Sequence, residues 1–88
     1  MIVRKLIIKN KFGLHARPAN LFVQTTSKFD ADVTVIKNGL EVNGKSIMGV
    51  MMLAAEQGSE ISVKAEGVDE EELMEAISAL IENKFNEE

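Results

Sequence analysis

The stretch Asp32-Val33-Thr34-Val35-Ile36-Lys37-Asn38-Gly39-Leu40-Glu41-Val42-Asn43 holds the clearest local signal in the chain. Val33 and Val35 alternate with Asp32 and Thr34, and Leu40 and Val42 alternate with Glu41 and Asn43. That is the period of strands with one buried face. Between the two runs, Asn38-Gly39 accepts the positive φ angles of a two-residue hairpin turn. The stretch predicts an antiparallel hairpin.

Upstream of it, Ala19, Phe22 and Val23 recur at helical spacing between Ala16 and Ser27. Pro18 falls in the first turn of that helix, where its missing N–H is not needed. Residues 2–9 are rich in Ile, Val and Leu and read as a strand, ended by Asn10-Lys11 and Gly13. Downstream, Ser46 stands in N-cap position before Ile47, Val50, Met51 and Ala54, a short helix weakened by Gly49. Ile61, Val63 and Ala65 alternate as a further strand. Asp69 and Glu72, in capping-box spacing, open a helix with Leu73, Ala76, Ile77, Leu80 and Ile81 on one stripe. The order β-α-β-β-α-β-α implies an α+β fold: an open-faced β-sandwich, with three helices on one face of a four-stranded, mostly antiparallel sheet.

At 88 residues the chain is expected to form a single domain, residues 1–88. Four Phe, with no Trp or Tyr, predict an aliphatic core. The absence of cysteine excludes disulfides, thiolate zinc sites and thiol catalysis. Charges break every apolar run in Met1–Lys9, so neither a signal peptide nor a membrane span is expected, and the chain is placed in the cytoplasm. A net charge of -4 argues against a general nucleic-acid binder. Arg4, Lys5, Lys9, Lys11 and Arg17 nevertheless crowd the first fifth of the chain, while Asp69 to Glu72 and Glu87-Glu88 make the tail acidic. A positive end near His15 would favour an anionic partner surface.

His15, the only histidine, lies in Gly13-Leu14-His15-Ala16-Arg17-Pro18-Ala19, at the start of a predicted helix. A helix N-terminus offers unpaired N–H groups and partial positive charge, which together bind a phosphate. Imidazole is a usable nucleophile near neutral pH, and its N–P adduct leaves readily for a second acceptor. Arg17 can brace phosphoryl oxygens, and Pro18 stiffens the helix entry. Ala16, Arg17 and Pro18 thus form the predicted phosphate-binding set, with His15 and Arg17 as the reactive pair. Leu14 is positioned to anchor the loop in the core.

These residues resemble the HPr family of the bacterial sugar phosphotransferase system. His15-Ala16-Arg17-Pro18-Ala19 is similar to the family's active-site stretch and Lys45-Ser46-Ile47-Met48-Gly49 to its second stretch. The form of both looks like the low-GC Gram-positive branch. The resemblance implies a carrier rather than an enzyme, with no cofactor or metal. His15 would accept a phosphoryl group from phospho-enzyme I and pass it to sugar-specific enzyme IIA proteins. It also implies regulatory phosphorylation of Ser46 by an HPr kinase/phosphatase, and contact through Ser46 with a catabolite-control transcription regulator. Read from the residues alone, Ser46 is first a helix cap.

Ile47, Met48, Met51 and Met52 are too many apolar residues for a short helix to bury, so part of this set is expected to form a partner-docking surface, with Met48 in it. Rival functions fit less well. A soft-metal carrier would use cysteine, an RNA-binding module would need strand aromatics and a basic face, and a hydrolase would need more than His15 alone. An adaptor working only through Ser46 would not need His15 beside Arg17. Nothing in the sequence demands more than a monomer.

Overall fold

The computed structural model describes residues 1–87; Glu88 of the acidic tail lies outside the described residues. In chain order the elements are β1 (Ile2–Ile7), α1 (Ala16–Thr26), β2 (Asp32–Lys37), β3 (Leu40–Asn43), α2 (Ile47–Met52), β4 (Glu60–Glu66) and α3 (Glu70–Glu82), then a one-turn helix at Lys84–Asn86. The hairpin forms as the alternation requires. Val35 faces Val42 and Lys37 faces Leu40, with Asn38 and Gly39 at φ +50° and +83°.

The strands form one sheet in the order β1-β4-β2-β3, antiparallel throughout. Its register sorts the side chains. Leu6 opposes Ile61, Val63 opposes Val35, and Ala65 lies across from both Ile2 and Val33. Leu6, Val33, Val35, Ile61, Val63 and Ala65 are all buried on the inner face. Ala19, Phe22 and Val23 of α1 join them in the core, as do Leu73, Met74, Ile77 and Ile81 of α3. Each fully buried aliphatic or aromatic side chain contributes about 1.5–3 kcal/mol. The opposite face carries the exposed Val3, Lys5 and Ile7 of β1. No helix among the described residues is long and apolar enough to cross a membrane.

Three local expectations change. The β1 ladder stops at Ile7 rather than residue 9, although Ile8 stays fully buried and exchanges backbone hydrogen bonds with Gly58 and Ser59. On α3, Met74 is buried while Ala76 and Leu80 are only half-buried. The capping box does not form. Asp69 is the N-cap, but its carboxylate makes no bond to its own helix and accepts from the N–H groups of Asp30 and Ala31, each at 2.8 Å. Two donors in the α1–β2 loop outcompete the helix for that side chain. Glu70, not Glu72, reaches backward, accepting from the Gly67 N–H at 3.0 Å.

The Asp30 N–H above all, and then that of Ala31, hold the Asp69 carboxyl below its ordinary value despite partial desolvation. A carboxyl depressed in the folded state stabilises the fold fully above its unfolded value and loses that effect as pH falls through the folded one. Asp69→Asn should therefore lower Tm by roughly 4–8 °C at neutral pH, the shift of one ordinary interaction in a chain of this size. The gap between the two thermal melts should start to close as pH falls through the ordinary carboxylate range and vanish only below the depressed value, where Asp69 of the folded protein is protonated.

Candidate functional site

The loop between β1 and α1 is fixed from below. Asn10 is almost fully buried; its Nδ2 donates to the Gly13 carbonyl at 2.7 Å, and the Gly13 N–H donates to the Asn10 carbonyl at 3.2 Å. The Leu14 N–H donates to the Ala55 carbonyl at 2.8 Å, and the Leu14 side chain enters the core as expected. Gly13 sits at φ +67°, and a Cβ there would overlap the Ala55 carbonyl oxygen. Only glycine meets both demands.

Anchoring Leu14 leaves His15 at the surface as the N-cap of α1, with its carbonyl accepting from the Ala19 N–H at 2.9 Å. The imidazole caps nothing. Among the described residues, no acceptor serves the N–H groups of Ala16 and Arg17, and Pro18 has none to offer. Two amides of the first turn therefore face outward beside the ring. The arrangement can receive an anion.

The ring has two close neighbours. Phe12, which is well exposed, meets it edge-on with centroids 6.0 Å apart, while Lys11 Nζ stands 5.4 Å over the Phe12 ring. Glu87 Oε2 lies 3.1 Å from His15 Nε2. The imidazole remains 41% exposed, whereas the glutamate side chain is 16% exposed. The route by which Glu87 arrives is unusual. Lys84, Phe85 and Asn86 take φ +56°, +54° and +61°, a left-handed reversal directly after α3. Such residues cost about 1–2 kcal/mol each, less for Asn. Burial of Phe85 to 1% exposure offsets part of that, and the Asn10 Nδ2 bond to Glu87 Oε1 at 3.1 Å adds to the hold.

His15 and Arg17 border one shallow cleft with Lys11, Phe12, Asn86 and Glu87. On its other side His15 shares a second cleft with Met51 and the Ala54–Glu56 segment. Arg17 and Ala16 are exposed, and Pro18 is buried. On α2, Val50 is fully buried, while Met48 and Met52 are 73% and 64% exposed and Ile47 and Met51 are each 39% exposed. Ser46 Oγ accepts from the Gly49 N–H at 3.1 Å, so the cap exists. Among the described residues no acidic, histidine or cysteine cluster could hold a metal ion.

Sequence reasoning did not single out Asn10, Phe12 or Glu87. One signal was available. Phe85 continues the four-residue spacing of Ile77 and Ile81, which marks it as a core residue beyond the helix. The reversal that buries it, and so turns Glu87 back, has no glycine to announce it.

Known proteins resemble this chain in sequence and in fold. Residues 2–83 match the family model described as the PTS HPr component phosphorylation site. A phosphocarrier protein HPr of Xylella fastidiosa is 53% identical over 88 residues, covering 100% of this chain and 99% of the relative. The structure is similar to that of HPr-C-His from Thermoanaerobacter tengcongensis, at TM-score 0.96 and 55% identity, covering 100% of this chain and 99% of that one. The Bacillus subtilis catabolite-repression protein Crh, solved as a domain-swapped dimer, matches at TM-score 0.76 and 44% identity, covering 96% of this chain and 97% of that one.

The tight seat of Gly13 carries a prediction. Gly13→Ala should cost about 1–3 kcal/mol in urea unfolding, because a side chain must enter a left-handed position against backbone. Amide NMR shifts should move most at residues 10–15 and 54–56.

Proposed function

The chain belongs to the HPr family of phosphotransferase-system phosphocarriers, and we propose that it holds the phosphoryl group on His15, taking it from phospho-enzyme I and passing it to sugar-specific enzyme IIA proteins for sugar uptake. The observation that carries this reading is the exposed imidazole at the α1 N-terminus beside two unpaired amides and Arg17. The protein is a co-substrate of its partners, which supply most of the catalytic apparatus. Ala16 and Arg17 offer N–H groups to the phosphoryl oxygens and Pro18 keeps them aimed. Arg17, unpaired with any acid among the described residues, adds charge.

Ile47, Met48, Met51 and Met52 form the docking surface. Their exposure supports this, as does the cleft that Met51 shares with His15. The flexible, polarizable methionine side chain suits a surface that must fit several unrelated partners. Ser46 is the regulatory site, modified by an HPr kinase/phosphatase and read by a catabolite-control transcription regulator. The likeness to Crh, a catabolite-repression protein, supports that assignment. A phosphate on Ser46 would sit at the positive end of α2 and add about two negative charges next to the apolar patch. The carrier is read as a single-domain cytoplasmic monomer that neither enters membranes nor contacts nucleic acid directly.

Incubation with phosphoenolpyruvate and enzyme I should give an acid-labile phosphate that His15→Ala abolishes. Absence of label in the wild type, under conditions that label a known carrier, ends the proposal. Arg17→Ala should slow transfer roughly tenfold, the value of one charge-assisted contact. With the cognate kinase and ATP, an acid-stable label should appear and be lost in Ser46→Ala. That variant should also lose about 1 kcal/mol of stability with the cap. Light scattering should give the mass of one chain.

A further inference from the structure

We infer that Glu87 is a positioning residue for His15: its carboxylate holds the ring proton on Nε2 and thereby presents the Nδ1 lone pair to the phosphoryl group. The inference rests on the carrier reading of His15 and assigns the orientation of its ring. An ionised carboxylate only accepts hydrogen bonds, so the nitrogen 3.1 Å from Glu87 Oε2 must carry the hydrogen. A neutral imidazole has one N–H, which leaves Nδ1 bare.

The surroundings of Glu87 show a held group. Its other oxygen, Oε1, is taken by Asn10 Nδ2, and Asn10 is itself 1% exposed and tied to the Gly13 carbonyl. The three left-handed residues before it are the kind of local strain that persists only where the surroundings enforce it. Lys11 and Arg17 border the same cleft, yet the carboxylate pairs with the ring and with neither cation. Both cations stay available to an incoming anion.

The step balances without moving a proton. The Nδ1 lone pair forms the N–P bond while the bond from phosphorus to the donor breaks, its electron pair leaving with the donor. The ring then bears a positive charge shared with Nε2–H, which the Glu87 carboxylate faces. A carboxylate orienting a histidine tautomer and stabilising the cation that forms is an established arrangement in other sites. The phosphoryl group and the carboxylate occupy opposite nitrogens of the ring.

The test uses the full chain with Glu87→Ala and Glu87→Gln. Nitrogen-15 NMR of the neutral His15 ring should show the Nε2–H form alone in the wild type and a measurable Nδ1–H share in both variants. The amide in E87Q supplies one acceptor where Asn10 and the ring each require one. With enzyme I as donor, kcat should fall about three- to tenfold in both variants at unchanged KM, a modest effect because the ring is partly exposed. A wild-type Nδ1–H form overturns the inference, as do variants unchanged in tautomer and kcat, or a change in KM alone. Should the wild type accept no phosphate at all, the carrier reading fails, and the NMR result still decides the role of Glu87.

Discussion

Everything in this molecule hangs on the register of β4 between β1 and β2. With Ile61 opposite Leu6, and Val63 opposite Val35, the buried side chains Leu6, Val33, Val35, Ile61, Val63 and Ala65 of three strands emerge on one face. A shift of one residue in that pairing would send the same side chains into water. The face has to be covered, and Phe22 from α1 with Leu73, Ile77 and Ile81 from α3 cover it. Once α1 is pressed down by Phe22, its N-terminus can lie only at the end of the sheet, beside the Ala54–Glu56 segment. His15 owes its position to a core it does not enter.

Within that frame the site is assembled from segments distant in sequence. The β1–α1 loop supplies Asn10, Phe12 and His15, the residues after α2 supply the wall against Gly13, and the chain end supplies Glu87. None of these alone would hold an imidazole. Together they fix the ring on one side while leaving its helix amides open. Of the exposed apolar side chains of α2, Met51 borders a cleft that His15 also lines.

How much of this could be read from sequence follows from which forces are local. Alternation, a hairpin pair, a proline in a first turn and a serine cap are decided within a few residues, and those elements formed where the sequence put them. The place of His15 and Arg17 at a helix start was legible because a helix start is decided locally. Asp69 was misread because its choice of partner depends on a loop 38 residues away. Glu87 was taken only as part of an acidic tail, since its meeting with His15 spans 72 residues and depends on a reversal without glycine.

The left-handed reversal ties the residues after α3 to the loop that carries His15. Residues 84–87 are held by Phe85, by two backbone bonds and by the side-chain contacts of Glu87, while His15 stands on an element locked into the main core. Opening that segment would uncover Phe85 and release the contact between Asn10 and Glu87. The backbone beneath the ring belongs to the core, and its carboxylate companion is tied there through Phe85 and Asn10. A group bound at the other ring nitrogen would therefore leave the carboxylate, the sheet and its helices in place.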